Sequence, residues 1–228
     1  MGSIPTASTT PTSPGWRPYA TRSPGLASGS ARLTPKSRKI IVRLAALFGL
    51  DSLGGGLLSG ALLAYWFFRR FGAAEESLAP LFFTVRLANA GSYLVAAWLS
   101  KRIGLLNTMV FTHIPANVLL VLVPLMPSLR LAIVVWLLRA TISQMDVPTR
   151  QSYVLAVVDP DERSAAGGVT NVERSVGSAF APALASPLLV SPAWHALPFL
   201  LAGTLKILYD LALWRAFRSL HPPEEGAG

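Results

Sequence analysis

Long apolar runs alternate with short polar breaks along the chain from Lys39 to Phe217. Each run approaches the roughly 20 residues that a helix needs to cross the hydrocarbon core of a bilayer. The pattern therefore predicts an all-α membrane protein with six transmembrane helices, called spans 1 to 6 below. Their approximate limits are 40–68, 78–99, 105–125, 129–157, 164–190 and 194–217.

The two ends of the chain differ from this apolar region. Residues 1–38 are rich in Ser, Thr, Pro and Gly, and they include basic residues but no acidic ones. Such a segment buries too little apolar surface to offset its ordering entropy, so we predict a disordered basic tail. An organellar transit peptide is the alternative, which the prolines disfavour. The transmembrane domain is then expected over 39–218, followed by a short C-terminal tail over 219–228.

Composition narrows the class of protein. Apolar residues make up 52% of the 228 residues and charged residues only 14%, well below the usual share in soluble domains, so the lipid bilayer is the expected surrounding. The net charge of +9 comes from the tail and from residues beside apolar runs, and it does not favour nucleic-acid binding. The chain has no cysteine and its three histidines lack ligand spacing, so we predict no metal site and no cofactor.

Lysine and arginine residues flank the spans unevenly. The side that carries both termini holds most of them, and the positive-inside rule makes that side cytoplasmic. We therefore expect both termini in the cytoplasm of an integral protein of the plasma membrane, with an organellar membrane as the alternative. The residues assigned to the cytoplasmic side are Lys36, Arg38, Lys39, Arg43, Lys101, Arg102, Arg163, Arg215 and Arg218, and those assigned to the outer side are Arg69, Arg70 and Arg130.

Charged residues inside the spans are the main candidates for function, because an intramembrane charge is costly unless it faces a partner or water. At 1.5 Å of helix rise per residue, Asp51 lies about 16 Å and Arg174 about 15 Å from the nearest span end, so we expect them to pair near the midplane. Arg86 and Arg139 lie about 12 Å from the outer face by the same measure. The candidate residues of a substrate or ion pathway are Asp51, Arg86, Arg139, Asp146, Arg150, Glu173 and Arg174.

Spacing adds information about spans 4 and 6. Arg139, Asp146 and Arg150 recur on one helical face of span 4, which makes a polar stripe. Lys206 and Asp210 lie one turn apart in span 6, and we expect them to neutralise each other locally. The alternative for every one of these charges is a structural ion pair that only fixes the rotation of its helix.

Small residues recur at helical spacing in spans 1 and 5. In span 1 they include Gly56 and Gly60, and in span 5 the stripe begins at Gly177. Small side chains let two helices approach closely, so we predict helix packing at these three glycines. The alternative for the glycines of span 1 is that they mark a bend.

Two loop segments resemble those of the major facilitator superfamily of transporters. After span 2, residues 97–104 read AWLSKRIG, which is similar to the family pattern G-x-L-x-D-R-x-G-R. After span 4, residues 158–164 read VDPDERS, which is similar to the family turn V-P-P-E-E-R-G. The loop residues that carry the resemblance are Arg102, Gly104, Asp159, Glu162 and Arg163.

This resemblance implies the carboxy-terminal six-helix half of such a transporter. Spans 1 to 3 and 4 to 6 would form two inverted three-helix repeats. Spans 1, 2, 4 and 5 would line a central cavity, and spans 3 and 6 would lie outside it. Family members usually have twelve spans, so the implied partner is a second six-helix half, supplied by another copy or by a separate chain.

The expected function is membrane transport of a small-molecule solute by alternating access, as half of a secondary transporter. No phosphate-binding G-x-x-x-x-G-K-[ST] loop occurs, so a proton or ion gradient is the expected energy source, with Asp51 as the carboxylate expected to titrate. A non-transporting membrane scaffold and a truncated transporter remnant are the alternatives. We predict no enzyme, because neither G-x-S-G nor E-E-x-x-x-R occurs and no carboxylate pair or metal cluster replaces them.

Overall fold

A computed structural model of the protein describes residues 34–219, apart from the side chains of Lys36 and Glu75. Over this range the chain consists of helices and short turns, without a β-strand. The first helix begins at Pro35, inside the predicted basic tail, because Thr34 caps it: the Thr34 hydroxyl accepts from the backbone N–H of Ser37 at 3.3 Å. The other predictions for the two tails concern residues outside the described range.

The six predicted spans correspond to eight α-helices of the described chain. Spans 1 and 4 are each divided into two helices, whereas spans 2, 3, 5 and 6 each contain one. The helices are α1 (Pro35–Gly56), α2 (Gly60–Phe71), α3 (Glu75–Ile103), α4 (Leu105–Leu122), α5 (Leu129–Ser143), α6 (Asp146–Ala156), α7 (Arg163–Val190) and α8 (Leu197–Phe217).

Five segments of the described chain are long and apolar enough to cross a membrane. They are Ser37–Phe71, Glu76–Ile103, Leu105–Leu125, Leu129–Ala156 and Leu197–Phe217. Helix α7 has 28 residues, which is sufficient length, but its first half is too polar to qualify because it contains Asn171, Glu173 and Arg174. A crossing by α7, and with it the six-helix repeat arrangement, therefore stays a prediction.

The division of span 1 follows from its glycines. Helix α1 ends in three consecutive glycines, Gly54 to Gly56, and glycine is a weak helix former. The chain then turns through 57–59, where the N–H of Leu58 bonds the carbonyl of Gly55. The Ser59 side chain accepts from the N–H of Leu62 at 3.4 Å and so caps α2.

The division of span 4 follows from Pro148. Proline has no N–H to bond the carbonyl four residues earlier, and its ring crowds that carbonyl. The affected carbonyl is that of Gln144, which instead accepts from the N–H of Val147 at 3.3 Å. Helix α5 therefore ends at Ser143 and α6 starts at Asp146.

Helices α3 and α4 are joined through one residue, Gly104. Its φ of 85° and ψ of 162° belong to a region that essentially only glycine occupies. The Gly104 N–H bonds the carbonyl of Ser100 at 3.0 Å, and its carbonyl accepts from Thr108. The glycine of the loop that follows span 2 is thus required by a tight reversal of the chain.

The most extensive helix contacts of the described chain are those of α1 with α7 and of α4 with α8. Helix α1 packs against α7 and α8, and α4 packs against α8, α5 and α6. Helix α3 packs against α4, α5 and α6. Helix α3 is the least enclosed of the candidate spans: 17% of its most apolar window is buried, against 50% for Leu105–Leu125.

Two of the three glycines predicted to pack lie in the contact between α1 and α7. A Cβ on Gly56 would come within 2.6 Å of the Ala181 Cβ, and one on Gly177 would come within 3.0 Å of the Gly49 carbonyl. Gly60 has no atom within 4 Å of its hypothetical Cβ. Gly56 therefore serves both purposes that the sequence suggested, since it lies in a close contact and also ends its helix, whereas the prediction of close packing at Gly60 is wrong for the described residues.

The buried apolar side chains form two clusters with a polar layer between them. The upper cluster includes Leu63, Trp66, Trp136 and Phe199. The lower cluster includes Ile41, Phe48, Met109, Tyr153, Tyr209 and Phe217. Along α1, α4 and α8, the residues between the two clusters are Asp51, His113, Asn117 and Lys206, and Asp210 follows Tyr209 at the edge of the lower cluster; all five are buried.

Candidate functional site

The polar layer holds a group of buried charged side chains that we call the ionic cluster. Four helices contribute to it, and all of its members are buried. It consists of Asp51 from α1, His113 from α4, Asp146 and Arg150 from α6, and Lys206 and Asp210 from α8.

Asp51 is the centre of the ionic cluster. Lys206 Nζ donates to Asp51 Oδ1 at 2.5 Å, and Arg150 Nη2 donates to Asp51 Oδ2 at 2.8 Å. Arg150 also pairs with Asp146, one turn earlier on the same helix. A buried charge is tolerated when it is paired and hydrogen-bonded, and each oxygen of Asp51 meets this condition.

Two pairings expected from the sequence are therefore wrong. Asp51 pairs with Arg150 and Lys206 instead of Arg174, which forms no ion pair with any residue in the range 34–219. Lys206 reaches across to α1 instead of pairing with Asp210 on its own helix. Both errors have one cause: depth and spacing fix the position of a side chain along its helix, but the rotation of the helix decides which neighbour it meets.

The guanidinium group of Arg150 is also held by two aromatic rings. It lies 4.8 Å from the ring centroid of Phe48 and 5.4 Å from that of Tyr209. Cations are attracted to the faces of such rings, and this attraction is stronger in a desolvated site. Arg150 is thus fixed by two carboxylates and two aromatic side chains.

His113 links Asp210 to the ionic cluster. Its Nδ1 lies 2.9 Å from Asp210 Oδ1, and Asn117 Nδ2 donates to Asp210 Oδ2 at 3.1 Å. A carboxylate only accepts hydrogen bonds, so we assign the proton to Nδ1. The other ring nitrogen, Nε2, lies 3.9 Å from Asp51 Oδ1, which is too long for a hydrogen bond.

A cavity of about 410 Å³ adjoins the ionic cluster. Both helix breaks contribute to its wall, through Leu58 and Ser59 of span 1 and through Gln144 of span 4. The upper apolar cluster borders it at Leu120 and Trp136. The charged residues of the wall are Asp51, Arg139, Asp146, Arg150, Arg174 and Lys206, with His113 beside them.

A second cavity of about 280 Å³ lies between α6 and α7. Phe48 and Val154 of the lower apolar cluster contribute to its wall. Arg150 and Arg174 line both cavities. These two arginines therefore stand where the cavities adjoin.

The remaining predicted pathway residues lie in three different surroundings. Arg139 lines the first cavity, with its guanidinium 4.7 Å from the ring centroid of Trp136. Glu173 lines the second cavity and an apolar groove against α1, where neither carboxylate oxygen has a hydrogen-bond partner among the described residues. Arg86 is exposed on α3 and lines neither cavity.

The loop after span 4 contacts the start of span 1. Glu162 is buried, and its carboxylate accepts from the backbone N–H of Thr34. The side chain of Ser37 and this N–H hold the pKa of Glu162 below its usual value, because both donate to the ionised carboxylate. Asp159 and Arg163 are exposed. In the other loop, exposed Arg102 lies 5.4 Å from the ring centroid of Trp98.

Three cluster residues, His113, Lys206 and Asp210, were absent from the candidate pathway predicted by sequence. The resemblance placed spans 3 and 6 outside the cavity, yet His113 of α4 and Lys206 of α8 line it. No residue of α3 does so, although span 2 was expected to contribute. The sequence did contain a sign of their role, since His113, Lys206 and Asp210 are polar residues in the middle of largely apolar spans.

One comparison with known proteins gives a relative. The chain is similar to the uncharacterized membrane protein YJR124C of Saccharomyces cerevisiae, with 24% identity over 185 residues. Together with the five candidate spans, this similarity decides the general class. The chain is a helical integral membrane protein. The match covers 81% of this chain but only 41% of the yeast protein, so more than half of the relative lies outside it.

The other two comparisons give no match. No protein-family model matches the chain. No solved structure matches it either.

Proposed function

We propose that the chain is one six-helix half of a secondary transporter of the major facilitator type, which binds a small solute and moves it by alternating access. The observation that carries this proposal is the cavity of about 410 Å³ built at the breaks of spans 1 and 4, next to a buried ionic cluster. Interrupted helices with ionisable side chains near the bilayer midplane are typical of transporter binding sites.

The pattern of helix contacts supports a two-repeat arrangement. Two inverted repeats would make span 1 equivalent to span 4, span 2 to span 5, and span 3 to span 6. The contacts of span 1 with spans 5 and 6 would then correspond to contacts of span 4 with spans 2 and 3. Both sets occur. The contacts between spans 2 and 3 and between spans 5 and 6 also exchange, and the contact between spans 3 and 6 maps onto itself.

The exposed charges of α3 and α7 favour a second six-helix unit. Arg86 and Arg174 have no ion-pair partner within residues 34–219, and both are exposed. A lipid-exposed arginine near the midplane costs several kcal/mol. A second unit with water between the halves removes this cost. The yeast relative has the additional length for such a unit, although its own activity is uncharacterized.

A non-transporting membrane scaffold is the second candidate. It is favoured by the ionic cluster itself, since Asp51, Arg150 and Lys206 satisfy one another without a ligand. Such a cluster can simply fix the register of α1, α6 and α8. The scaffold reading gives no role to the cavity, however, so a test that fills the cavity separates the two functions.

The experiment is a flux measurement on the full chain in proteoliposomes, alone and together with candidate six-helix partners. Panels of sugars, amino acids, carboxylates and inorganic ions are supplied under an imposed proton or sodium gradient. Leu58→Trp fills the cavity wall, and Leu87→Trp makes the same change on the exposed surface of α3. The oligomeric state in native nanodiscs is measured in parallel.

We expect flux of at least one solute with the unmodified chain and with Leu87→Trp, and its loss with Leu58→Trp. Equal flux in both tryptophan variants would show that this cavity is not the route. Absence of flux in every combination, with the protein folded, would favour the scaffold.

A further inference from the structure

The charge balance of the first cavity is positive. Its wall contains four cationic side chains and two carboxylates, with His113 beside them. Both carboxylates are already paired, Asp51 with Arg150 and Lys206, and Asp146 with Arg150. Two cations of the wall remain without an ion pair in the described structure, Arg139 and Arg174.

The unsatisfied nitrogen atoms of the wall residues point to the same sign, whereas Ser52 Oγ, which also lacks a partner among the described residues, can either donate or accept. Three buried nitrogen atoms of the wall lack a partner among the described residues: Trp136 Nε1, Arg139 Nε and Arg150 Nε. Each carries a proton and has no lone pair to accept with. A group that satisfies them must therefore supply acceptors. A buried donor without a partner is costly, which favours the binding of such a group.

Helix ends do not reverse this preference. The N-terminal ends of α2 and α6 meet the cavity, and so do the C-terminal ends of α1 and α5. Their opposite partial charges offset one another. Arg139 and Arg174, which form no ion pair in the described structure, therefore decide the sign of the electrostatic potential in the cavity.

We propose that this cavity binds a small soluble anion with a carboxylate or phosphate group, held by Arg139 and Arg174. The inference rests on the proposed function, because it names the substrate class of the same cavity. Arginine suits this role, since its planar donor groups match both carboxylate and phosphate oxygens. Serine side chains of the wall, at Ser52, Ser59, Ser143 and Ser178, provide further polar contacts for the anion.

The test is equilibrium binding to the full chain in phosphatidylcholine nanodiscs, measured by titration calorimetry and by thermal stabilisation. The probes are succinate and inorganic phosphate, and choline and mannitol serve as the cationic and neutral controls at matched ionic strength. Arg139→Gln and Arg174→Gln remove the two proposed ligand contacts. Arg130→Gln is the matched control, because Arg130 is exposed and lies outside both cavities.

We expect succinate or phosphate to bind the unmodified chain and Arg130→Gln equally, and to bind the two cavity variants roughly tenfold more weakly. Arg139→Lys should recover part of the affinity, which shows that a loss in Arg139→Gln does not come from misfolding. Binding of choline or mannitol alone would overturn the proposal, and so would unchanged anion affinity in both cavity variants.

A further arm identifies the source of the anionic group. Nanodiscs that contain phosphatidylglycerol are compared with those of phosphatidylcholine alone. Unchanged affinity for the probe supports a soluble anion, whereas competition by the anionic lipid in the unmodified chain would assign the site to a headgroup and overturn the proposal. Anion binding to this cavity does not require a second six-helix half. Anion binding without flux would therefore contradict the proposed function alone. Flux of neutral solutes without anion binding would contradict this inference alone.

Discussion

The charged side chains of the ionic cluster and those of α3 and α7 differ in whether they find partners within the described chain. In the ionic cluster, Asp51 receives hydrogen bonds from two cations. On α3 and α7, Arg86 and Arg174 have no ion-pair partner in the described chain, and Glu173 has no hydrogen bond. The first group is complete within the described chain. The second becomes complete only with water, a solute or another protein surface.

We expect the paired charges to contribute mainly to stability and the unpaired charges mainly to binding. Removing one member of a buried, paired set leaves its partners uncompensated, which is strongly destabilising. Removing a charge that has no partner changes little in the folded unit, but it changes what that unit can bind. The predictions below test this division, beginning with the largest expected effect.

The largest loss of stability is expected from Asp51→Ala. This change leaves Lys206 without an ion pair among the described residues and Arg150 with Asp146 alone. We expect the free energy of unfolding to fall by about 3–5 kcal/mol, measured by denaturation in mixed micelles. Asp161→Ala, at an exposed position, is the control. A loss of less than about 1 kcal/mol would mean that water compensates the cluster and that the pairs are not structural.

A smaller loss is expected when the contact between α1 and α7 is overpacked. Gly56→Leu introduces a side chain where a Cβ alone would lie 2.6 Å from Ala181. We expect a cost of about 1–3 kcal/mol, because the helices must separate. Gly60→Leu is the matched control, since nothing lies within 4 Å of its Cβ position. Equal costs for the two variants would show that α7 is not held by close packing at this point.

Removal of the unpaired arginine of α3 should cost the least stability among the charge variants. For Arg86→Leu we expect the free energy of unfolding to fall by no more than about 0.5 kcal/mol, because the side chain is exposed and forms no ion pair in the range 34–219. The measurement uses the same micelles. A loss comparable to that of Asp51→Ala would remove the distinction between paired and unpaired charges.

The smallest expected effect is a dependence on acidic pH of the contact between Glu162, in the loop after span 4, and the first turn of α1. The folded-state pKa of Glu162 is lowered by hydrogen bonds from Ser37 and Thr34. Its contribution is therefore present above the unfolded-state pKa and is lost as the pH falls through the folded-state pKa. We expect faster hydrogen exchange in the first turn of α1 over this acidic range. Glu162→Gln should remove the pH dependence, and exposed Asp159→Asn should leave it unchanged.

Much of the fold follows from the sequence because lipid imposes simple length and polarity rules. The helices lie close to the predicted spans, and the glycines before Leu57 and the proline at 148 account for the two breaks. Asp51 was recognised as an interior charge for the same reason. Span 5 is the exception, since the polar residues in the first half of α7 keep it below the composition of the other spans.

The partners within the site could not be predicted, because they depend on how each helix is rotated. Gly177 and Ala181 of α7 lie against α1, and in this orientation of α7 Arg174 forms no ion pair with Asp51. Lys206 was expected to bond within its own helix, but its long side chain reaches α1. His113 was interpreted as a satisfied or solvated histidine, and only the packing of α4 on α8 brings it to Asp210.

The two arginines that border both cavities are unequal in how firmly they are anchored. Displacing Arg150 would sacrifice contacts with Asp51 and Asp146 and with the faces of Phe48 and Tyr209. A change of rotamer at Arg174 breaks no described ion pair. At the boundary between the two cavities, one arginine is therefore held in place by four side chains, whereas the other can reorient at little cost.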